Sequence, residues 1–436
     1  MKDIGIGLLG FGTVGAAVVA GLQEHAELIA RRAGVRLVIR QIADLDTESD
    51  RGVTVDRSLL TTDAAAVVNS PDIDLVVELM GGVGTAREMV AMALRLGKPV
   101  VTANKALLAE HGAELYALAA GSGVDLYFGA AVGGGIPIVR TLRDGMTSNR
   151  IHSIYGILNG TSNYILTRME TEYLLFDDVL QAAQAAGYAE AEPSLDIDGH
   201  DTAHKAVILA SLMLGCPASL DRVYVEGIRG LSELDIRYAL EMGYRIKKLA
   251  IIKYLDGRLS MRVHPTLIPL GHLLAQVSGV FNAVVFEGDM VGQSMLYGRG
   301  AGGDPTAGTV LADMADVARN LVFGSVRRVM PAMSDDPEPI AYRAISDVSS
   351  RYYLRAAVLD HPGVLARITK ILGDQGISIA SVMQIESSVA SHVPVVIVTH
   401  TAREGDMNEA LREIDALDVV GAATVRLRIE DIGEPS

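Results

Sequence analysis

The chain has 436 residues, enough for two or three domains and a large core. Apolar residues make up 49 %, which excludes disorder over most of its length, and a formal net charge of −15 argues against nucleic acid or an anionic membrane surface as a partner. One cysteine, Cys216, allows no internal disulfide and fits a reducing cytoplasm; just before Pro217, at the end of an apolar helix, it reads as a buried structural thiol.

The start, Met1-Lys2-Asp3-Ile4, is apolar enough to pass for a signal peptide, but Asp3 interrupts the basic region. No apolar run is long enough to span a bilayer. Residues 4–9 read as a buried strand, then come Gly10-Phe11-Gly12-Thr13-Val14-Gly15 and an apolar helix over 13–29. This is G-x-G-x-x-G between a strand and a helix. Gly10 permits the tight turn, Gly12 lets a pyrophosphate approach the helix N-terminus, and Gly15 lets helix pack on strand. The pattern predicts a dinucleotide site; its bland counterpart is a glycine-rich turn in some other α/β protein. A second strand, 35–43, ends in Asp44, a carboxylate suited to a ribose 2′-OH. No arginine or lysine stands at 43–46, which leans toward NAD, although Arg51 is near enough in sequence to reach.

Residues 73–79 form another strand, ending in Met80-Gly81-Gly82; a helix over 85–96 leads to Val100-Val101 and Thr102-Ala103-Asn104-Lys105. Repeating strand–helix–strand units predict a parallel sheet with helices on both faces. Lys105 follows a strand C-terminus, the edge where such sheets bind ligands, yet a helix-start lysine is as common there. A strand over 125–131 runs into Val132-Gly133-Gly134-Gly135-Ile136-Pro137, which suits either a tight turn or a small cation on exposed carbonyls. A strand over 151–158 ends in Asn159-Gly160-Thr161-Ser162-Asn163, polar groups that either bind a ligand or cap the next helix.

The densest chemistry lies in 187–205. Glu190, Glu192, Asp196, Asp198, Asp201, His200, His204 and Lys205 surround Pro193 and Gly199, and an apolar run over 206–214 follows. A helix starting near Asp201 sets Asp201 and Lys205 one turn apart on one face. A helix-stabilising ion pair explains that. So does a site for a small zwitterion, with carboxylates for an ammonium and a lysine for an oxygen that gains or loses a proton. A second glycine loop, 297–306, precedes a helix over 307–321 whose N-terminus can return to the cofactor. Residues 330–339 hold three prolines and read as a linker. Beyond it come a strand over 352–359, Asp360-His361-Pro362-Gly363-Val364-Leu365, a helix to 372, strands over 377–385 and 393–399, a helix over 407–414 and a strand over 423–429. That is β-α-β-β-α-β, a ferredoxin-like module, whose sheet edges are expected to pair with another copy. Gly363 either admits a ligand to the backbone or is a plain turn glycine.

Several segments together resemble homoserine dehydrogenase over about three quarters of the chain: Gly10 to Gly15, Val77-Glu78-Leu79-Met80-Gly81-Gly82, Thr102-Ala103-Asn104-Lys105, Asn159-Gly160-Thr161-Ser162-Asn163-Tyr164, residues 183–205 and the late glycine loop. Glu192 departs from the family, which has a shorter polar residue before Pro193. The tail from Tyr352 resembles an ACT regulatory domain, with 360–365 as its effector turn. With no kinase-like region before residue 1, the resemblance is to the monofunctional form.

The resemblance implies an α/β protein: a Rossmann-type parallel sheet in a dinucleotide-binding domain over 1–130, an α+β substrate-binding and dimerisation domain over 131–308, a helix over 309–329 returning to the nucleotide domain, a linker over 330–349 and a ferredoxin-like ACT domain over 350–436. It implies NAD- or NADP-dependent interconversion of L-aspartate 4-semialdehyde and L-homoserine, in threonine, methionine and isoleucine biosynthesis, by a cytoplasmic homodimer or homotetramer. It makes Lys205 the general acid, puts Lys105 where nicotinamide and substrate meet, and adds Asp201 to the catalytic set. Glu190 would hold the substrate ammonium, with Asp196, Asp201, Gly160 and Thr161 around it. Gly10, Phe11, Gly12, Thr13, Val14, Gly15, Asp44, Gly81, Lys105 and Gly302 would hold the cofactor. A sodium ion would sit on carbonyls of Val132, Gly134, Ile136 and residue 129, where many members have glutamate and this chain has Gly129. Threonine is the candidate effector at Asp360, Gly363 and Val364. A second lysine would also lower the pKa of the first. The alternatives are another dinucleotide-dependent amino-acid dehydrogenase, which needs a different polar cluster, and an ACT-linked amino-acid sensor with an inactive dehydrogenase-like front half.

Overall fold

The computed structural model describes residues 1–326, 339–384 and 392–433. Strands β1 (Asp3–Leu9), β2 (Arg36–Ala43), β3 (Leu60–Thr61), β4 (Leu75–Glu78), β5 (Val100–Thr102) and β6 (Leu126–Tyr127) pair in parallel, in the order β3-β2-β1-β4-β5-β6. Helices α1 (Thr13–Ala33), α2 (Ala64–Asn69), α3 (Gly84–Arg95) and α4 (Lys105–Ser122) cross between them. Ile4, Ile6, Leu8, Val76 and Val77 are buried, as in a parallel sheet covered on both faces.

Then follow α5 (Ile138–Arg140), β7 (Ile151–Ile157), α6 (Gly160–Glu172), α7 (Phe176–Ala185), α8 (Ser194–Ile197), α9 (His200–Leu214), β8 (Val223–Val225), α10 (Glu233–Glu241), β9 (Tyr244–Leu255), β10 (Arg258–Pro269), β11 (Phe281–Gly288) and β12 (Gly292–Arg299). Helix α11 (Gly303–Phe323) carries the chain back onto α1. The tail is β13 (Ser349–Leu359), α12 (Val364–Asp374), β14 (Ile379–Gln384), β15 (His392–Thr399), β16 (Ala402–Arg403), α13 (Glu404–Asp415) and β17 (Val420–Ile429). One sheet runs β12-β11-β7-β9-β10-β17-β13-β15-β14, with β8 beside β10 and β16 beside β13. Helices α6, α9 and α10 pack on its central strands.

Three expectations change. Residues 125–131 are a strand only over Leu126–Tyr127; the chain then curls into a 3-10 turn, because the Gly129 N–H turns to the buried Asp313 carboxylate at 2.7 Å instead of a ladder. Helix α11 begins at Gly303 rather than 307, with Pro305 in its first turn, where its missing N–H leaves no bond unmade. The tail's β17 edge pairs within the chain, through Thr266↔Arg428 and Leu267↔Ile429, so β14 is the module's open edge. The hairpin β9–β10 escaped the sequence pattern, although its turn is Asp256-Gly257 with φ of 53° and 71°, the pair that favours a two-residue hairpin. Most of the 330–339 linker and the end of the 377–385 strand lie outside the described residues. Among the described residues, no helix is long and apolar enough to cross a membrane.

Candidate active site

The glycine turn is built by steric exclusion. Gly10 has φ +100°, and a Cβ there would lie 2.6 Å from Leu79 backbone; a Cβ on Gly15 would lie 2.2 Å from the Gly10 carbonyl oxygen. Gly12, at the N-cap of α1, is different: its Cβ would meet nothing within 4 Å. The turn therefore presses its neighbours together at two points and leaves open backbone at the third, at a helix N-terminus. Phe11 is buried, and its N–H donates to the Asp44 carboxylate, which also accepts from the Asp46 N–H at 2.9 Å. Arg51 folds back to lie 2.9 Å from Asp46 and 4.0 Å from Asp44, lining a groove with Gly12 and Thr13. The N-terminus of α11 arrives at the same place: a Cβ on Gly303 would lie 3.4 Å from Thr13 O. Gly302, with φ +119°, is its N-cap.

A cleft of about 460 Å³ opens between the C-terminal rim of the parallel sheet and helices α8 and α9, walled by Val14, Gly81, Gly302, Lys105, Glu190 and Lys205 among others. Its floor is a chain of charges. Asp201 is 6 % exposed and Lys205 8 %. Lys205 Nζ donates to Asp201 Oδ2 and to Leu158 O, both at 2.7 Å, and Lys105 Nζ lies 3.2 Å from Asp201 Oδ1. Asn159 Nδ2 joins Asp201 at 2.9 Å to Asp196 at 2.6 Å, and its Oδ1 caps α6 through Ser162 N–H, so it serves both the cap and the cluster. Burial alone would raise the Asp201 carboxyl, but Lys205 and Lys105 together hold it well below the carboxylate range. Asp201 in turn raises Lys105. The carboxylate between the two lysines outweighs burial at Lys105. Glu190 lines the exposed lip of the cleft, and among the described residues no hydrogen bond holds its carboxylate. Burial lowers His204, which also lines the cleft.

Residues 10–129 match the family described as homoserine dehydrogenase, NAD binding domain; residues 137–315 match homoserine dehydrogenase; residues 352–418 match the ACT domain. A homoserine dehydrogenase of Pseudomonas aeruginosa is 44 % identical, covering 99 % of this chain and 100 % of that one. The chain belongs to the homoserine dehydrogenase family. A crystal structure of the Thiobacillus denitrificans homoserine dehydrogenase superposes with a TM-score of 0.93 at 45 % identity, covering 99 % of each chain. A hyperthermophilic archaeal homoserine dehydrogenase in complex with NADPH matches with a TM-score of 0.61 at 28 % identity, covering 73 % of this chain and 98 % of that one. As a homoserine dehydrogenase, the chain is an NAD(P)-dependent oxidoreductase that interconverts L-aspartate 4-semialdehyde and L-homoserine, in threonine and methionine biosynthesis. An inactive sensor is the disfavoured reading.

Not every homoserine dehydrogenase position expected from sequence faces the cleft. Gly160 packs behind it, where a Cβ would lie 2.9 Å from Val280 O. The Thr161 hydroxyl lies 2.7 Å from Tyr188 O and 3.0 Å from Asp196 Oδ2, touching the cluster from outside. Glu192, the departure from the family pattern, accepts the Ser194 N–H at 3.2 Å and so starts α8. In the glycine turn, Val132 and Ile136 are buried; Gly134 O accepts the Thr309 hydroxyl at 2.7 Å and Ile136 O the Ile138 N–H at 2.8 Å. Asp313 Oδ2 would lie 2.8 Å from a Cβ on Gly129, in the space a side chain there would take. In the ACT turn, Gly363 has φ +90° and caps α12, Asp360 accepts from Gln384 at 3.3 Å, and the Val364 side chain is buried in the module's core. Cys216 is half-buried rather than buried, and burial raises its thiol pKa.

Two site residues escaped the sequence pattern. Lys248 is 4 % exposed and its Nζ donates to Asp196 O beneath the cleft. Glu78 is fully buried and gathers Thr102 Oγ1, the Met80 N–H at 2.9 Å and Asn104 Nδ2, bracing the Gly81 turn against the start of α4. The signal for Lys248 is the pair Lys247-Lys248 inside an apolar strand. Successive residues face opposite sides, so one lysine must enter each face of a covered sheet.

Proposed function

We propose that Lys205 is the general acid and base of this homoserine dehydrogenase, supported above all by its buried ammonium, fixed by Leu158 O and Asp201 at the cleft floor. When bound, a nicotinamide supplies or accepts the hydride. Lys205 Nζ, with two of its three protons committed, gives the third to the carbonyl oxygen of the semialdehyde as that oxygen becomes an alkoxide, and takes it back from the homoserine hydroxyl in the reverse direction. Asp201 holds Lys205 in place and keeps Lys105 charged, and Lys105 adds a second ammonium on the cofactor side. Glu190 holds the substrate ammonium; Asp196, braced by Asn159 and Thr161, completes the cage. Glu190→Ala is the test: KM for homoserine should rise with a smaller loss of kcat, whereas equal loss of kcat and kcat/KM at constant KM would assign Glu190 to the transition state.

The open backbone at Gly12 and the helix N-termini of α1 and α11 fit a pyrophosphate, with Gly10, Phe11, Thr13, Val14, Gly15, Gly81 and Gly302 shaping the groove. Asp44 suits the ribose of NAD, and Arg51 supplies the base for the 2′-phosphate of NADP, so we infer that both cofactors are used. The carbonyls of Val132, Gly134, Ile136 and Gly129 fit a sodium ion. Two of them keep one lone pair after their hydrogen bonds, and Asp313 brings a carboxylate where the family's glutamate is missing. The ACT domain regulates through threonine at Asp360, Gly363 and Val364, the last by its backbone. Removing the residues after the linker should leave a core that still reduces the semialdehyde, with a raised KM because β17 is gone, but ignores threonine. The domain division 1–130, 131–308, 309–329, 330–349 and 350–436 goes with this reading, as do a homodimer or homotetramer and a cytoplasmic location.

A further inference from the structure

The short helix α8, which carries Asp196, rests on a second segment. After β8 the chain runs Glu226-Gly227-Ile228-Arg229 flat beneath α8. The Ile228 N–H donates to Ile197 O at 2.9 Å. Arg229 grips Asp198 with bonds of 2.6 and 3.2 Å and Ser194 Oγ with one of 3.0 Å. Gly227 lies so close that a Cβ would stand 2.8 Å from both Ile197 O and Asp198 Cα. Gly199, the N-cap of the helix bearing Asp201 and Lys205, touches the same segment: its Cβ would lie 2.9 Å from Val225 Cγ1 and 3.5 Å from Glu226 O. Both ends of the charge cluster thus take their height from this strap.

The strap is held from two sides: its Glu226 N–H donates to Val263 O of β10 at 2.7 Å, and the Glu226 side chain is held by the C-terminal module. The Glu226 carboxylate accepts from Arg426 Nη2 at 2.8 Å, Arg428 Nη1 at 2.7 Å and Arg428 Nη2 at 3.2 Å. Both arginines are on β17. Arg428 is 0 % exposed and also binds Glu404 of α13 at 2.9 Å and the Tyr224 hydroxyl at 3.1 Å. Burial would lift the Glu226 carboxyl, but the Arg428 guanidinium holds it below its ordinary value. The Arg428 guanidinium is shared between the buried Glu404 and the half-buried Glu226, and charge-assisted bonds to two carboxylates fix how β17 sits against the strap. Such a joint transmits position.

We propose that Glu226 is a positioning residue of the dehydrogenase: it locks the 226–229 strap to β17, so that substrate affinity depends on how the C-terminal module is seated. The inference rests on Asp196 and its neighbours being the substrate cage, and it adds the route by which an effector bound to the module reaches that cage.

The test uses the full chain. Glu226→Gln keeps the size and removes the charge. KM for homoserine should rise by roughly 5-fold or more, the lower bound of ordinary coupling between sites. Cofactor affinity should not change, because the glycine turn is on the far wall. Arg426→Met should move KM in the same direction and add nothing in the Glu226→Gln background, since both act through one joint. A lowered Tm with unchanged KM in Glu226→Gln would overturn the proposal, as would additive KM effects in the double variant. Should Glu226→Gln fail to fold, Gly227→Ala decides: its methyl must push Ile197 and Asp198 while β17 stays untouched, and unchanged KM there also overturns it. Asp196→Ala separates the two levels. If it leaves KM unchanged, the cage reading fails; if it raises KM while Glu226→Gln does not, only the positioning role falls.

Discussion

The two walls of the cleft solve their problems with different physics. The cofactor wall is steric: glycines at 10 and 15 let backbone meet backbone, and among the described residues nothing lies within 4 Å of where a Cβ on Gly12 would stand. The substrate wall is electrostatic: Asp201 between Lys105 and Lys205, with Asn159 linking it to Asp196. A steric wall fails when atoms are added, and an electrostatic wall fails when a charge is removed. The first kind of damage should appear in cofactor binding or folding, the second in turnover.

The largest effect should come from removing the proton donor. Lys205→Ala is expected to cut kcat by roughly 10²–10⁴, about 3–5 kcal/mol of barrier, with cofactor affinity nearly unchanged. A variant that keeps more than about a tenth of wild-type turnover would show that the charge wall does not carry the proton.

The steric wall predicts a contrast within one motif. Gly15→Ala must displace the Gly10 carbonyl from 2.2 Å, so it should lower stability by about 1–3 kcal/mol. Gly12→Ala puts its Cβ in open space and loses only a favourable N-cap residue, so it should cost less stability than Gly15→Ala and weaken cofactor binding by at least about tenfold, near 1.4 kcal/mol. Calorimetry and cofactor titration on the two variants would break the comparison if both lost stability equally.

The two walls were also unequally legible. The glycine turn could be read because each glycine's reason lies in the turn itself or in the adjoining strand end. Asp201 and Lys205 could be read because one helical turn separates them. Their company could not: Asn159 and Lys248 come from other elements, and only the packing of α9 and α6 on β9 brings them together. Arg51 is near enough along the chain to reach, but that its loop folds back on Asp46 and Asp44 is visible only in the structure. The strap at 226–229 has no composition to announce it; its role comes wholly from what lies above and below.

Lys248 offers a pH test of the electrostatic wall. Burial lowers it from 10.5 to about 8. Its folded value lies below its unfolded one, so the unfolded chain holds the proton more tightly between those limits. The penalty for burying the charge stands in full below pH 8 and is relieved as pH rises toward 10.5, with a slope of at most about 1.4 kcal/mol per pH unit. Lys247, on the opposite face, is also lowered to about 8 and acts in the same direction. Urea unfolding of wild type and Lys248→Met across that window isolates one of the two. The stability difference should shift in favour of wild type as pH rises, and a constant difference would mean that Lys248 is not desolvated.

The smallest expected effect is at the rim where the two kinds of physics meet. Arg51 is the charge on the otherwise steric cofactor wall, partly exposed and already sharing itself between Asp46 at 2.9 Å and Asp44 at 4.0 Å. Solvent screening limits such a contact to about 1 kcal/mol. Arg51→Ala should therefore lower kcat/KM for NADP by roughly fivefold while NAD, which has no 2′-phosphate, changes little or improves as Asp44 loses its cationic neighbour. Steady-state kinetics with both cofactors would decide it. Equal loss for the two would mean that Arg51 supports the loop rather than the phosphate, and that the cofactor wall is steric throughout.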